Sequence, residues 1–447
     1  MSFPFANLGV PEHQAPLPKN ADLVVIGGGV IGVCTALFAA RSGLRVVLCE
    51  KGRVAAEQSG RNWGWIRQQG RDPSELPLMI EARGLWQALA AECGEDIGLA
   101  QTGVTYLAKS EREMTRYEAF LRLARDHGLD TRMISRDEAA RAFPAGNHVG
   151  GILTPTDMTA EPWLAVPALA RLAVREGVAI REICAVRTLE TEAGRVCGVI
   201  TEAGRVDAPV VALCAGAWSR LFLARHGIAL PQLSVRASVA ATDPLSGGPS
   251  GALAEARLGF RPRSDGGYTI APRESHELFI GPDAVRSFGA FIREYLKQPA
   301  NSGLRPAAPP GYPDAWGTPR RWVADKPGPF ERTRILNPRP NFARLDRARR
   351  DFAVVFPRMG PVRLKARWAG MIDVLPDTLP VIDETPRPGL WLATGTSGHG
   401  FGIGPAIGRV LADLVRGAPP GHDLSVFRFT RFATQRKRST STQNLAK

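Results

Sequence analysis

The chain has 447 residues, 44% hydrophobic and 22% charged, which excludes a disordered or fibrous protein and leaves room for two lobes. The net charge of +14 is local: Arg320–Arg367 holds 14 Lys/Arg against 4 Asp/Glu, and Arg428–Lys447 holds 6 Lys/Arg and no acid. Such patches attract anionic lipid, an acidic partner or nucleic acid. No nucleic-acid module accompanies them, so no nucleic-acid partner is expected. Peripheral contact with the inner face of a membrane is weighed against a plain solvated surface. Six scattered cysteines, without Cys-x-x-Cys or metal spacing, read as reduced thiols of a cytoplasmic protein, and no secretory signal is read at the N-terminus.

In chain order, Asp22–Ile26 predicts a strand, Val30–Ser42 a helix stopped at Gly43, and Arg45–Cys49 the next strand. Leu23–Ala40 lacks a charge over 18 positions, but its three central glycines fit strand, turn and helix better than a membrane span. Gln58–Gln69 reads as a polar loop, and Leu78–Ala91 and Glu111–His127 as helices. Two β-rich runs around Glu192–Gly194, then Val206–Cys214, predict a three-stranded meander. The proline-dense Arg305–Pro340 predicts an irregular excursion outside the core. Leu390–Thr394 reads as a strand, followed by a glycine-rich turn and a helix from Pro405 to Arg416.

The sharpest local signal is Gly27-Gly28-Gly29-Val30-Ile31-Gly32 between a predicted strand and a predicted helix. In that Gly-x-Gly-x-x-Gly pattern Gly27 permits the turn, Gly29 admits a pyrophosphate, and Gly32 lets helix and strand approach. The helix start at Val30 offers unpaired N–H groups. Glu50 closes the second strand 18 residues beyond Gly32, placed for a ribose hydroxyl, with Lys51 beside it. That carboxylate disfavours NADP; the unit alone does not choose between NAD and FAD.

Further segments resemble the superfamily of D-amino-acid oxidases and dehydrogenases, which includes glycine oxidase, sarcosine oxidase and subunits of opine dehydrogenases. They are Ser59-Gly60-Arg61-Asn62-Trp63-Gly64-Trp65-Ile66-Arg67, Cys184-Ala185-Val186, Val210–Ser219, Trp368–Asp373 with Pro376–Pro380, and Thr394–Gly404. The resemblance implies FAD, and with it contacts from Ser59, Arg61, Asn62, Val186, Ala215, Gly216, Trp218, Gly370, Gly398, Gly400, Phe401 and Gly402. It implies α/β and α+β architecture: a Rossmann-like FAD-binding domain of the glutathione-reductase type and a second, antiparallel-sheet substrate domain. The expected division is 20–85, 160–231 and 367–432 for FAD, 86–159 and 232–366 for substrate, and 433–447 as a basic tail. Without His or Cys in Ser59–Arg67, the FAD is expected to be non-covalent.

The implied reaction is hydride loss from the α-carbon of a small amine, D-amino acid or N-substituted amino acid to flavin N5, giving an imine; the acceptor is oxygen, quinone or a partner protein. A 2-hydroxy-acid oxidoreductase, or a non-catalytic flavoprotein that binds a partner, are the alternatives. His399, inside the last motif, is the titratable candidate, and Arg67 the candidate for a substrate carboxylate. Ile372 and Phe401 stand where amino-acid-specific members often place a carboxylate-binding arginine. Arg67, Arg261, Arg263 or Arg273 would have to replace it, or else the substrate lacks a carboxylate there, and Asp373 would then favour a cationic one.

Overall fold

A computed structural model describes residues 10–273, 276–297 and 302–432, the side chains of 293–297 and 302 excepted. The apolar run Leu23–Ile26 is wholly buried, as a strand covered on both faces must be. It lies between Val46–Cys49 and Val210–Leu213, parallel to both, with Leu23 opposite Val46 and Val210. The six-stranded sheet runs Val381–Glu384, Leu390–Thr394, Val210–Leu213, Leu23–Ile26, Val46–Cys49, Ala179–Arg181, and its edge strand Val381–Glu384 is antiparallel.

The helix Val30–Arg41 packs against the C-terminal helix Gly400–Val415. A side chain at Gly404 would come within 2.8 Å of Val30, and one at Gly408 within 2.5 Å of Cys34, so glycines set the spacing of the pair. The C-terminal helix begins at Gly400, ahead of the expected Pro405. Proline lies inside it, since helix packing holds glycines helical that would otherwise favour a turn.

Two other expectations change. Gly204–Asp207 completes the three-stranded sheet with Val186–Glu192 and Arg195–Thr201, but Val210–Leu213 crosses into the parallel sheet. The proline-dense stretch is irregular apart from short turns, yet it is not outside the core. Tyr312, Ala315, Phe330 and Leu336 are buried in one cluster with Trp218 and Phe222, with Phe330 against both rings and Tyr312 against Phe279. Aromatic burial outweighs the loss of ladder hydrogen bonds that proline imposes.

The second layer is a ten-stranded sheet centred on Leu233–Thr242, which pairs with the long strand Leu364–Val374. It is mixed and not purely antiparallel: Ala252–Ala254 runs parallel to Val104–Ala108, and His276–Phe279 parallel to Ser302–Arg305. Part of the Arg320–Arg367 charge is compensated within the fold, through Arg320 with Asp283 and Asp314, Arg334 with Glu202, and Arg367 with Asp346. The tail 433–447 lies outside the described residues. Among the described residues no helix is long and apolar enough to cross a membrane.

Candidate active site

The glycine turn and the end of the second strand form one wall of a cleft of about 160 Å³. Gly27 turns the chain at φ +111, a conformation for which glycine is suited. The Val30 N–H donates to Ser59 Oγ at 3.0 Å, so Ser59 caps the helix at the point where an anionic group is best stabilised. The Glu50 carboxylate accepts the N–H groups of Gly28 and Gly52, each at 2.7 Å. Burial nonetheless raises its pKa above the ordinary carboxylate value.

Gly27, Gly29, Val30, Glu50, Lys51, Ser59, Asn62, Val186, Ala215, Gly216, Trp218, Gly398, Gly400 and Phe401 all line this cleft. A side chain at Gly29 would come within 2.9 Å of Ser59 Oγ, so its absence keeps open the space beside the helix end. These residues fit a dinucleotide: N–H donors at a helix start, an acid at the second strand end, and an apolar wall from Val186 and Phe330. Gly32, Arg61, Gly370 and Gly402 stand behind it. Gly32 packs on the Gly27 carbonyl, Gly370 on Gln58, and Gly402 on the Trp65–Ile66 backbone. Arg61 is buried, donating to the carbonyl oxygens of Ala56 and Ala369 and to Asn337.

Glu57, which sequence reasoning passed over, ties the far end together. It accepts Trp218 Nε1 at 2.9 Å and Lys51 Nζ at 2.6 Å, while the Lys51 ammonium lies 4.2 Å from the centre of the Trp218 ring. Lys51 therefore acts first as a cross-link of the fold.

A second cavity, about 640 Å³, opens on the other side and shares Gln58, Asn62, Ile372, Gly398 and Phe401 with the cleft. Arg67, Arg71, Tyr106, Arg273, His276 and His399 line it, and no Asp or Glu does. Asp373 lies in the cleft instead, 7% exposed, held by Thr394 Oγ1 at 3.1 Å and by the Gly395 N–H. Its carboxylate belongs to the loop, so it offers nothing to a cationic substrate. Of the other arginines considered, Arg261 is bidentate with Glu161 at 2.9 and 2.7 Å and Arg263 is paired with Asp265, both outside the cavity lining.

Arg71 was not singled out from sequence. It is 4% exposed, bonded through Nε to the Arg67 carbonyl at 3.1 Å and through Nη2 to the His399 carbonyl at 3.4 Å. Its Nη1 is buried with no hydrogen-bond partner, as are Trp65 Nε1 and Gln58 Oε1 around the same space. Burial lowers its pKa to about 10, which still leaves it protonated at neutral pH. The only signal available was its position four residues after Arg67 in a Gln-Gln-Gly loop.

His399 Nδ1 lies 3.3 Å from Glu75. Burial, with Arg71 adding to it, lowers the His399 pKa despite Glu75. The loop carrying Arg67 and Arg71 is fixed by buried Asp157, which accepts the N–H groups of Gln68 at 2.7 Å and Gln69 at 3.3 Å. Asp157→Ala is expected to lower stability by about 1–3 kcal/mol, since it strands both donors. Urea unfolding of variant and parent checks this; equal midpoints would show the loop is held elsewhere.

A dinucleotide cleft on a parallel sheet, opening into a substrate cavity under a second sheet, defines a two-layer cofactor oxidoreductase. The family model of FAD dependent oxidoreductases, DAO, matches residues 22–414, and the chain belongs to that family, so its cofactor is FAD. Sarcosine oxidase subunit beta of Rhizobium meliloti is 26% identical, with 94% of this chain and 91% of that protein covered. Mouse mitochondrial sarcosine dehydrogenase is 28% identical, but the match spans 53% of this chain and about a quarter (27%) of that protein. The solved L-amino acid deaminase of Proteus myxofaciens, in complex with anthranilate, superposes with a TM-score of 0.88 at 30% identity, covering 95% of this chain and 96% of that one.

Proposed function

We propose that this enzyme oxidises the C–N bond of an amino acid or N-substituted amino acid to an imine, which water then hydrolyses. The observation that carries this reading is a substrate cavity lined by arginines, without a carboxylate, that meets the cofactor cleft at Ile372, Gly398 and Phe401. Relatives named for sarcosine oxidation and L-amino acid deamination support it. FAD supplies the hydride acceptor when bound. The protein's part is positioning and electrostatics. Arg71 anchors the substrate carboxylate, because a buried guanidinium with a free N–H is complementary to that anion. The substrate binds as the neutral amine, so no side-chain base is required, and the lowered pKa of His399 suits it to a neutral wall of the cavity.

The FAD is held without a covalent bond, in keeping with a Ser59–Arg67 loop that carries no His or Cys. Acid precipitation is expected to leave the yellow colour in the supernatant; colour in the pellet would refute this. The electron acceptor is oxygen, a quinone or a partner protein, and the Arg-rich surface is a candidate for peripheral docking.

The deciding experiment is anaerobic mixing of the yellow enzyme with amines, D- and L-amino acids, N-alkyl amino acids and 2-hydroxy acids, following loss of the flavin absorbance. N-alkyl amino acids are expected to bleach it fastest and D-alanine poorly, because the cavity is large for so small a side chain. Bleaching by 2-hydroxy acids alone would overturn the reading, and bleaching by none would favour a non-catalytic flavoprotein.

A further inference from the structure

The charge of the second cavity is more than one carboxylate can answer. Arg61, Arg67, Arg71 and Arg273 line it, and no Asp or Glu does. Arg61 is engaged by the carbonyls of Ala56 and Ala369 and by Asn337. Two of the others share one aromatic ring: the guanidinium carbons of Arg273 and Arg67 lie 4.6 and 5.4 Å from the centre of Tyr106. Arg273 is otherwise bonded to the Glu255 carbonyl at 3.2 Å, and Arg67 to the Gln69 carbonyl. Arg71, bonded through Nε to the Arg67 carbonyl and through Nη2 to the His399 carbonyl, keeps its orphan Nη1, with the orphan Nε1 of Trp65 in the same wall. Buried Glu75 and Asp157, behind the wall, offset part of the charge on Arg71 and Arg67. The lining itself holds no carboxylate, and cations gathered there are costly unless a ligand brings the missing charge.

We infer that the substrate is a dicarboxylate amine. One carboxylate is taken at Arg71, beside the flavin loop, and a second at Arg273 and Arg67 over Tyr106. This rests on the proposed C–N oxidation and names its substrate class. The wall also carries Leu233, Val235, Leu278, Val374 and Leu375, which suit an apolar part of the same ligand. The second carboxylate can hang on the nitrogen substituent or on the amino-acid side chain; the chemistry recognised is the same.

The test uses FAD-loaded enzyme and ligands that cannot be oxidised at nitrogen. Oxydiacetate and methoxyacetate differ by one carboxylate, and calorimetry gives the affinity of each. Oxydiacetate is expected to bind at least about tenfold tighter. In Arg273→Ala its affinity falls by about tenfold or more, while that of methoxyacetate falls by less than threefold. Affinities for the two ligands within threefold of each other in the parent, or an equal loss for both in Arg273→Ala, overturn the inference. Thermal unfolding of the variant separates a lost contact from a damaged fold.

A turnover arm then compares iminodiacetate-type and glutamate-type amines with their monocarboxylate counterparts. Higher kcat/KM for the first type places the second carboxylate on nitrogen, and for the second type on the side chain. Equal kcat/KM for di- and monocarboxylate amines counts against the inference while leaving C–N oxidation intact. Dicarboxylate preference in binding, with no bleaching by any amine, would sink the oxidation reading and leave the anion site standing.

Discussion

Gly29→Val is expected to yield a folded, colourless protein. Gly29 has φ −78 and ψ 173, a backbone conformation open to any residue, so valine introduces no backbone strain. Gly27 and Gly32 would not serve: the first has positive φ, and a side chain on the second would collide with the Gly27 carbonyl. A valine at 29 meets Ser59 Oγ and fills the space beside the Val30 N–H, where a pyrophosphate would approach. Losing that approach should weaken FAD by about 100-fold or more, roughly 3 kcal/mol. The check is FAD per chain after purification, with circular dichroism to confirm the fold. A variant carrying one FAD per chain would remove the pyrophosphate assignment.

Arg71→Leu is expected to be the most damaging single change in the substrate cavity. Its guanidinium is buried and holds one N–H free, so a substrate carboxylate paired there forms a desolvated, charge-assisted bond. Removing one partner of such a pair costs about 2–4 kcal/mol, or roughly 30- to 1,000-fold in kcat/KM. The matched amine lacking the carboxylate should lose less than about threefold. Arg67→Ala is expected to be milder, because Arg67 already bonds the Gln69 carbonyl and lies against Tyr106. If Arg67→Ala does the greater damage and Arg71→Leu spares the carboxylate substrate, the two roles are exchanged.

The charge pattern of the cavity bears on the two alternatives that the sequence left open. Ile372 and Phe401 do occupy the junction of cleft and cavity, so arginines at those two positions are absent from the place where the chemistry occurs. The loss of carboxylate binding does not follow. Arg273, one of the replacements considered, and Arg71, which was not, line the same cavity from the far sheet and from a loop.

Sequence by itself determined the dinucleotide unit. Its parts are contiguous: an apolar strand, a turn that needs glycine, a helix start and an acid at the next strand end each act within a few residues of chain. The flavin-side segments were legible for the same reason, as short runs with a recognisable order. Tertiary structure decided the rest. It sorted Arg261 and Arg263 into internal ion pairs, left Arg67, Arg71 and Arg273 facing the cavity, and turned Asp373 into the cleft. Arginine has the same formal charge in each place; only the three-dimensional neighbours decide whether that charge is already answered or is left for a ligand.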